Sequence, residues 1–152
     1  MSYFTIFYSL LAVILGVVWL LVEIKLVYRA KTSYIWRTIL TIAALLLGGL
    51  TYKVTGSLSD QLTGYASMVI ILVIAFWPKG LTQNSVIANL NTVRQLTTIS
   101  KVVLTTTVDE VELRCFAGEL QIAKLKFKQD PATLQKFLAQ KLPKKRLVIN
   151  QG

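Results

Sequence analysis

The sequence predicts a membrane α-helical protein: three transmembrane helices, then a small α+β cytoplasmic module in which an antiparallel sheet carries one C-terminal helix. Three observations lead there. The chain of 152 residues is 54% hydrophobic, above the roughly 45–50% usual for soluble domains. Its charge is segregated, with five basic and two acidic side chains in residues 1–78 against twelve and five in residues 79–152, which hold +7 of the total +10. Finally, the pattern changes along "VIAFWPKGLTQN" (Val73–Asn84) from unbroken apolarity to regular alternation. A soluble core does not divide charge in this way, whereas a bilayer half followed by an aqueous half does.

The first predicted span covers about residues 3–22. Residues 1–22 contain no charged side chain, and about 20 apolar residues at 1.5 Å each cross roughly 30 Å of hydrocarbon. The stretch lacks the basic start and the small-residue cleavage site of a signal peptide, so it reads as a retained span. The second span, residues 34–53, has Arg37 and Lys53 near its ends, where long cationic side chains reach the headgroups. The third, residues 60–78, ends on Phe76-Trp77-Pro78, rings suited to the interface followed by a helix stop.

Orientation follows from the loops. The first, "EIKLVYRAKTSYIWR", carries Lys25, Arg29, Lys31 and Arg37, while the second has only Lys53, balanced by Asp60. The positive-inside rule puts the first loop and everything after Trp77 in the cytoplasm, with the N-terminus outside, as expected for a multi-pass protein of the cell membrane. Ala12 with Gly16, and Ala44 with Gly48 and Gly49, supply small-xxx-small spacings for close helix packing, within the chain or with a partner.

The module, residues 79–152, is read from its alternation. Val102, Leu104, Thr106 and Val108 share one strand face. Val111, Leu113 and Cys115 alternate against Glu110, Glu112 and Arg114, with a hairpin at Asp109-Glu110. Ala117-Gly118-Glu119 forms the next turn, where glycine accepts a positive φ. Leu120 and Ile122 are out of phase with Leu125 and Phe127, so a β-bulge is expected near Ala123. Asp130-Pro131 starts a helix whose buried face is Leu134, Phe137, Leu138 and Leu142, and Pro143 ends it. "SVIANLN" and "VRQLTTIS" read as one or two further short strands.

The strand-rich order closed by one helix, the Gly-Leu-Thr start, the Ile99-Ser100-Lys101-Val102 strand entry and the "LKFKQDPATLQKFL" ending resemble the pleckstrin-homology-like cytoplasmic tail of small multi-span membrane proteins of Gram-positive-type bacteria. The resemblance covers residues 79–142 and implies an interaction module without a catalytic residue.

The residue types point away from enzymatic chemistry. The chain has no histidine and one cysteine, which removes Ser/His and Cys/His catalysis and any intrachain disulfide. No P-loop, G-x-G-x-x-G or G-x-S-x-G run occurs. The carboxylates of "DEVE" (Asp109, Glu110, Glu112) lack a fourth oxygen ligand and read as a solvated hairpin tip, not a cation site. No cofactor, metal or nucleic-acid partner is expected.

The basic side chains carry the one candidate site. Lys124, Lys126 and Lys128 alternate onto one strand face, and Lys141, Lys144, Lys145 and Arg146 follow the helix. Seven such groups are positioned to contact anionic lipid headgroups or a membrane partner, and the alternative is a solvated face that satisfies the positive-inside bias. The expected function is therefore a non-enzymatic membrane protein whose module docks on lipid, on a second copy or on another membrane protein. The alternative is an accessory subunit of a transporter or secretion complex that acts through its helices.

Overall fold

The computed structural model describes residues 3–108 and 110–151. The chain forms two compact units: one holds the residues up to Ile24 together with Thr32–Trp77, the other Lys25–Lys31 together with the chain from Pro78 onward.

The first unit contains α1 (Tyr3–Lys25), α2 (Tyr34–Val54) and α3 (Leu58–Ala75), three helices long and apolar enough to cross a membrane. Ser57 opens α3 by accepting the Asp60 N–H at 3.1 Å and donating to its carboxylate at 2.6 Å, which places the helix start two residues before the expected one. At the other end α3 stops at Ala75, short of the expected 78, because Pro78 disfavours helical geometry at Trp77.

Glycine sets how closely α2 and α3 approach. A Cβ on Gly48 would lie 2.6 Å from the Met68 sulfur, and one on Gly64 2.2 Å from the Thr51 hydroxyl. Gly16 and Gly49 face open space, so of the expected small-residue pairs only Ala12, Ala44 and Gly48 lie in buried positions. Helix α1 is tied to α3 at both ends. The Thr5 hydroxyl meets those of Ser59 (2.7 Å) and Thr63 (3.0 Å), and the Trp19 indole donates to the Phe76 carbonyl at 3.0 Å. Arg37 donates to the Thr32 hydroxyl and lays its guanidinium 4.7 Å over the Phe76 ring, a cation–π contact.

The second unit departs from the expected single antiparallel sheet. It has two four-stranded sheets. The first is built in the order β1 (Leu26–Arg29), β2 (Gly80–Thr82), β3 (Ser85–Ile87) and β4 (Val93–Gln95), antiparallel throughout. Strand β1 comes from the segment between α1 and α2, which the sequence presented only as a basic loop. The second sheet contains β5 (Lys101–Thr106), β6 (Val111–Ala117), β7 (Leu120–Phe127) and β8 (Leu147–Gln151) in the order β7-β6-β5-β8. Helix α4 (Pro131–Lys141) precedes β8. The chain therefore does not finish on its helix, as expected, but on a strand that pairs parallel with β5.

Local chemistry accounts for most of these elements. Val102, Leu104, Val111, Leu113 and Cys115 alternate inward and are buried. Val108, expected on the same face, lies beyond the end of β5 and is 98% exposed. Asp109, at the expected hairpin corner, lies outside the described residues. Gly118 takes φ +66° in the turn between β6 and β7. The register of that pair slips between Cys115↔Ala123 and Phe116↔Gln121, so Ile122 is the extra residue of the expected bulge. Asp130 stands at the N-cap of α4, but its carboxylate bonds no helix amide. The core lies between the sheets and the Leu134, Leu138 and Leu142 face of α4.

Candidate functional site

Residues 25–31 govern how the second unit closes. Leu26 and Tyr28 turn partly inward while Val27 and Arg29 turn outward, and the Tyr28 ring meets Phe137 of α4 edge-on at 5.1 Å. The Ala30 amide donates to the Lys79 carbonyl at 2.8 Å, and the Lys31 amide to the Lys126 carbonyl at 2.6 Å. This short segment thus edges the first sheet through β2 and also binds β7 of the second.

The same segment completes a charge ladder on the outer face of the second sheet. Glu110 accepts from the Lys31 ammonium and lies 3.4 Å from that of Lys126. Glu112 accepts from Arg114 and lies 3.3 Å from Lys124. The hydrogen bond from Lys31, followed by that from Lys126, holds the Glu110 carboxyl below its ordinary value. At Glu112 burial pushes the pKa up, and the bonds from Arg114 and Lys124 outweigh it, so the net direction is again down. The carboxylates of Glu110 and Glu112 are thus engaged by cations, and among the described residues no three metal-ligating side chains gather.

A carboxylate with a lowered folded pKa contributes stability that is complete above its unfolded pKa and is lost as pH falls through the folded value. The Lys31–Glu110–Lys126 tie should therefore hold at neutral pH and fail on acidification below the ordinary value of 4.5. We expect the denaturant midpoint of the full chain to fall as the pH is lowered below the ordinary carboxylate value of 4.5, with a smaller fall in Glu110→Gln, which has no carboxylate there to protonate. An equal fall in both proteins would remove Glu110 from the account.

The seven basic residues singled out in the sequence divide into two groups. Lys124, Lys126 and Lys128 lie on or just beyond β7, at one edge of the second sheet. Lys144, Lys145 and Arg146 form the 3₁₀ turn leading into β8 at the opposite edge, about 14 Å away at roughly 4.8 Å per strand. Lys141 ends α4 beside that turn. Two of the first group are engaged by Glu112 and Glu110. In the second group Arg146 is partly buried and donates to the Thr97 and Ile99 carbonyls at 3.1 and 3.3 Å, fastening the turn to the body of the unit. Lys128, Lys141, Lys144 and Lys145 are exposed and have no acidic partner among the described residues.

Beside Lys141 runs a groove of about 510 Å³ that the sequence reading missed. It is lined by Gln83 and Asn84 of the β2–β3 turn with Ser85 at the start of β3, by Gln95 at the end of β4 with Leu96 and Thr97 just beyond it, and by Lys141. These positions are up to 58 residues apart in the chain, and no periodicity links them. Cys115, the single cysteine, is fully buried. Desolvation pushes its thiol up to about 12, so it packs as an inert apolar group. Comparison with protein-family models, curated proteins and solved structures finds no match to this chain.

Proposed function

We propose that the chain is a non-enzymatic, multi-pass protein of the cell membrane whose cytoplasmic unit engages the anionic headgroups of the inner leaflet through Lys141, Lys144 and Lys145. The observation that carries this reading is the division just described: these three ammonium groups lie close together in the chain, are exposed and have no acidic partner among the described residues, while Lys124 and Lys126 each share a carboxylate with a second cation. At about 1 kcal/mol for each cation near an anionic surface, three supply about 3 kcal/mol, screened beyond a Debye length.

Two further observations support the reading. Residues 25–31 and the chain from Pro78 onward fold as one unit, which agrees with putting the first loop and the C-terminal part on one side of a bilayer, the N-terminus opposite. The run of four antiparallel strands, then three, then a helix supports a pleckstrin-homology-like unit, to which β8 is an addition. An accessory-subunit role is favoured by α1, whose buried residues among those described are Thr5 and Ala12, leaving a long apolar surface for a neighbouring helix.

The test uses the full-length protein in nanodiscs. Trypsin cleavage after Lys144 and Lys145 should be at least tenfold slower in anionic than in zwitterionic bilayers, and salt at about 0.5 M should restore it. Equal cleavage in both bilayers at low salt would exclude the lipid-facing role. Capture of the intact chain in a stable membrane complex, with no such protection, would favour the accessory subunit.

A further inference from the structure

We propose that the groove between the β2–β3 turn, the turn after β4 and the end of α4 is a binding site for a phosphate group that carries hydroxyls, a polyol phosphate. The proposal rests on the lipid-facing reading for its preferred source of that ligand.

The walls are fixed by bonds that do not use the groove-facing side chains. Thr82 accepts the Ser85 N–H at 3.0 Å and donates to the Ser85 carbonyl at 3.2 Å. The Leu96 amide donates to the Asn84 carbonyl at 2.8 Å, joining the two turns. Thr98 donates to the Gln95 carbonyl, and Arg146 donates to that of Thr97. Leu96, 2% exposed, is the apolar member of the lining. By contrast, the side-chain polar atoms of Gln83, Asn84, Ser85, Gln95, Thr97 and Lys141 make no hydrogen bond among the described residues.

What remains is three carboxamides, two hydroxyls and one ammonium around a single groove, with no carboxylate in the lining among the described residues. Carboxamides offer donors and acceptors together and so complement hydroxyl groups, which do the same. One ammonium complements one phosphate charge, and a phosphate also accepts from amides and hydroxyls. A volume of about 510 Å³ falls within the range of small-molecule sites and leaves room for more than a bare phosphate. Most ligand pockets are mainly apolar; here polar and apolar surface are present in similar measure, which suits a ligand with polar groups on a short carbon skeleton. The polyol phosphate can be a free solute or the headgroup of a glycerol-bearing lipid, and the recognised chemistry is the same.

The experiment titrates the full-length protein in zwitterionic nanodiscs with glycerol 1-phosphate, inorganic phosphate and glycerol, following amide signals of the groove residues by NMR. We expect glycerol 1-phosphate to bind at least tenfold tighter than inorganic phosphate, and glycerol not to bind. Lys141→Gln and Gln95→Glu should each weaken binding at least tenfold, whereas Lys101→Gln, at an exposed position outside the groove, should not. Equal affinity for inorganic phosphate, no binding, or affinity unchanged in both groove variants would overturn the site. Repeating the titration in phosphatidylglycerol and phosphatidylserine nanodiscs identifies the source. Competition by the first lipid alone supports a headgroup, while competition by neither supports a free solute and overturns the lipid source. Salt-sensitive trypsin protection without glycerol 1-phosphate binding would sink the groove and leave the lipid-facing reading standing; binding without protection would do the reverse.

Discussion

Gly80→Ala opens the second unit, and the single thiol of the chain reports it. Gly80 begins β2 opposite Arg29 and has φ +154°, a conformation that L side chains rarely adopt. A Cβ there would also stand 2.0 Å from the Tyr28 carbonyl oxygen and 3.2 Å from the Ala30 nitrogen. These are main-chain atoms, so no rotamer change relieves the clash and β1 itself must move away. Backbone strain of this kind costs about 1–3 kcal/mol, and displacing packed structure about another 1–3. Cys115 is fully buried, so a thiol reagent reaches it only when the unit opens. At 1.4 kcal/mol per factor of ten, labelling should accelerate at least about thirtyfold in Gly80→Ala. Gly49→Ala, whose added Cβ meets nothing within 4 Å, should label as slowly as the parent. Equal labelling of Gly80→Ala and parent would mean that β1 does not lie against Gly80.

Phe127→Ala has an effect of the same order at the other side of the core. Phe127 ends β7, pairs with Val111 and is fully buried, in one cluster with Leu134 and Leu138 of α4. Removing a buried phenyl ring loses its transfer free energy and leaves a cavity, together about 3–5 kcal/mol. A unit of about 80 residues has roughly 4–12 kcal/mol of stability in total, so this substitution consumes a large share of it. Cys115 labelling should accelerate more than about a hundredfold. Phe127→Leu, which keeps most of the volume, should lose under about 1.5 kcal/mol. Equal losses in the two variants would show that the ring fills no tightly packed space.

The long elements were legible in the sequence because each carries many residues of signal. Helices of 18 to 23 residues declare themselves by hydropathy, β5 to β7 by their alternation, and the bulge at Ile122 by a change of parity. The strands that were missed are short and sit under stronger signals. In β1 the inward Leu26 and Tyr28 are an alternation only four residues long, and Lys25, Arg29 and Lys31 around it read as a positive-inside loop. Gly80–Thr82 reads as the start of the module, but three residues are too few to declare a strand by alternation. Leu147–Gln151 has the β-branched Val148 and Ile149 of a strand, yet it follows Pro143 and three cations that read as a tail. The candidate site was legible residue by residue but not as a surface. Strand order is not chain order, and placing β8 beside β5 sends Lys144–Arg146 to the edge opposite Lys124–Lys128. The groove depends on three segments meeting, which no local pattern encodes.

The central claim is that the segment between the first two apolar helices is a structural strand of the C-terminal unit. Hydrogen exchange of the full-length protein tests it most directly. The Ala30 and Lys31 amides, bonded to the Lys79 and Lys126 carbonyls, should exchange as slowly as those of β6, and should lose protection together with β2 in Gly80→Ala. Exchange of residues 26–31 at the rate of an unstructured loop, while β5 to β7 stay protected, would contradict the account.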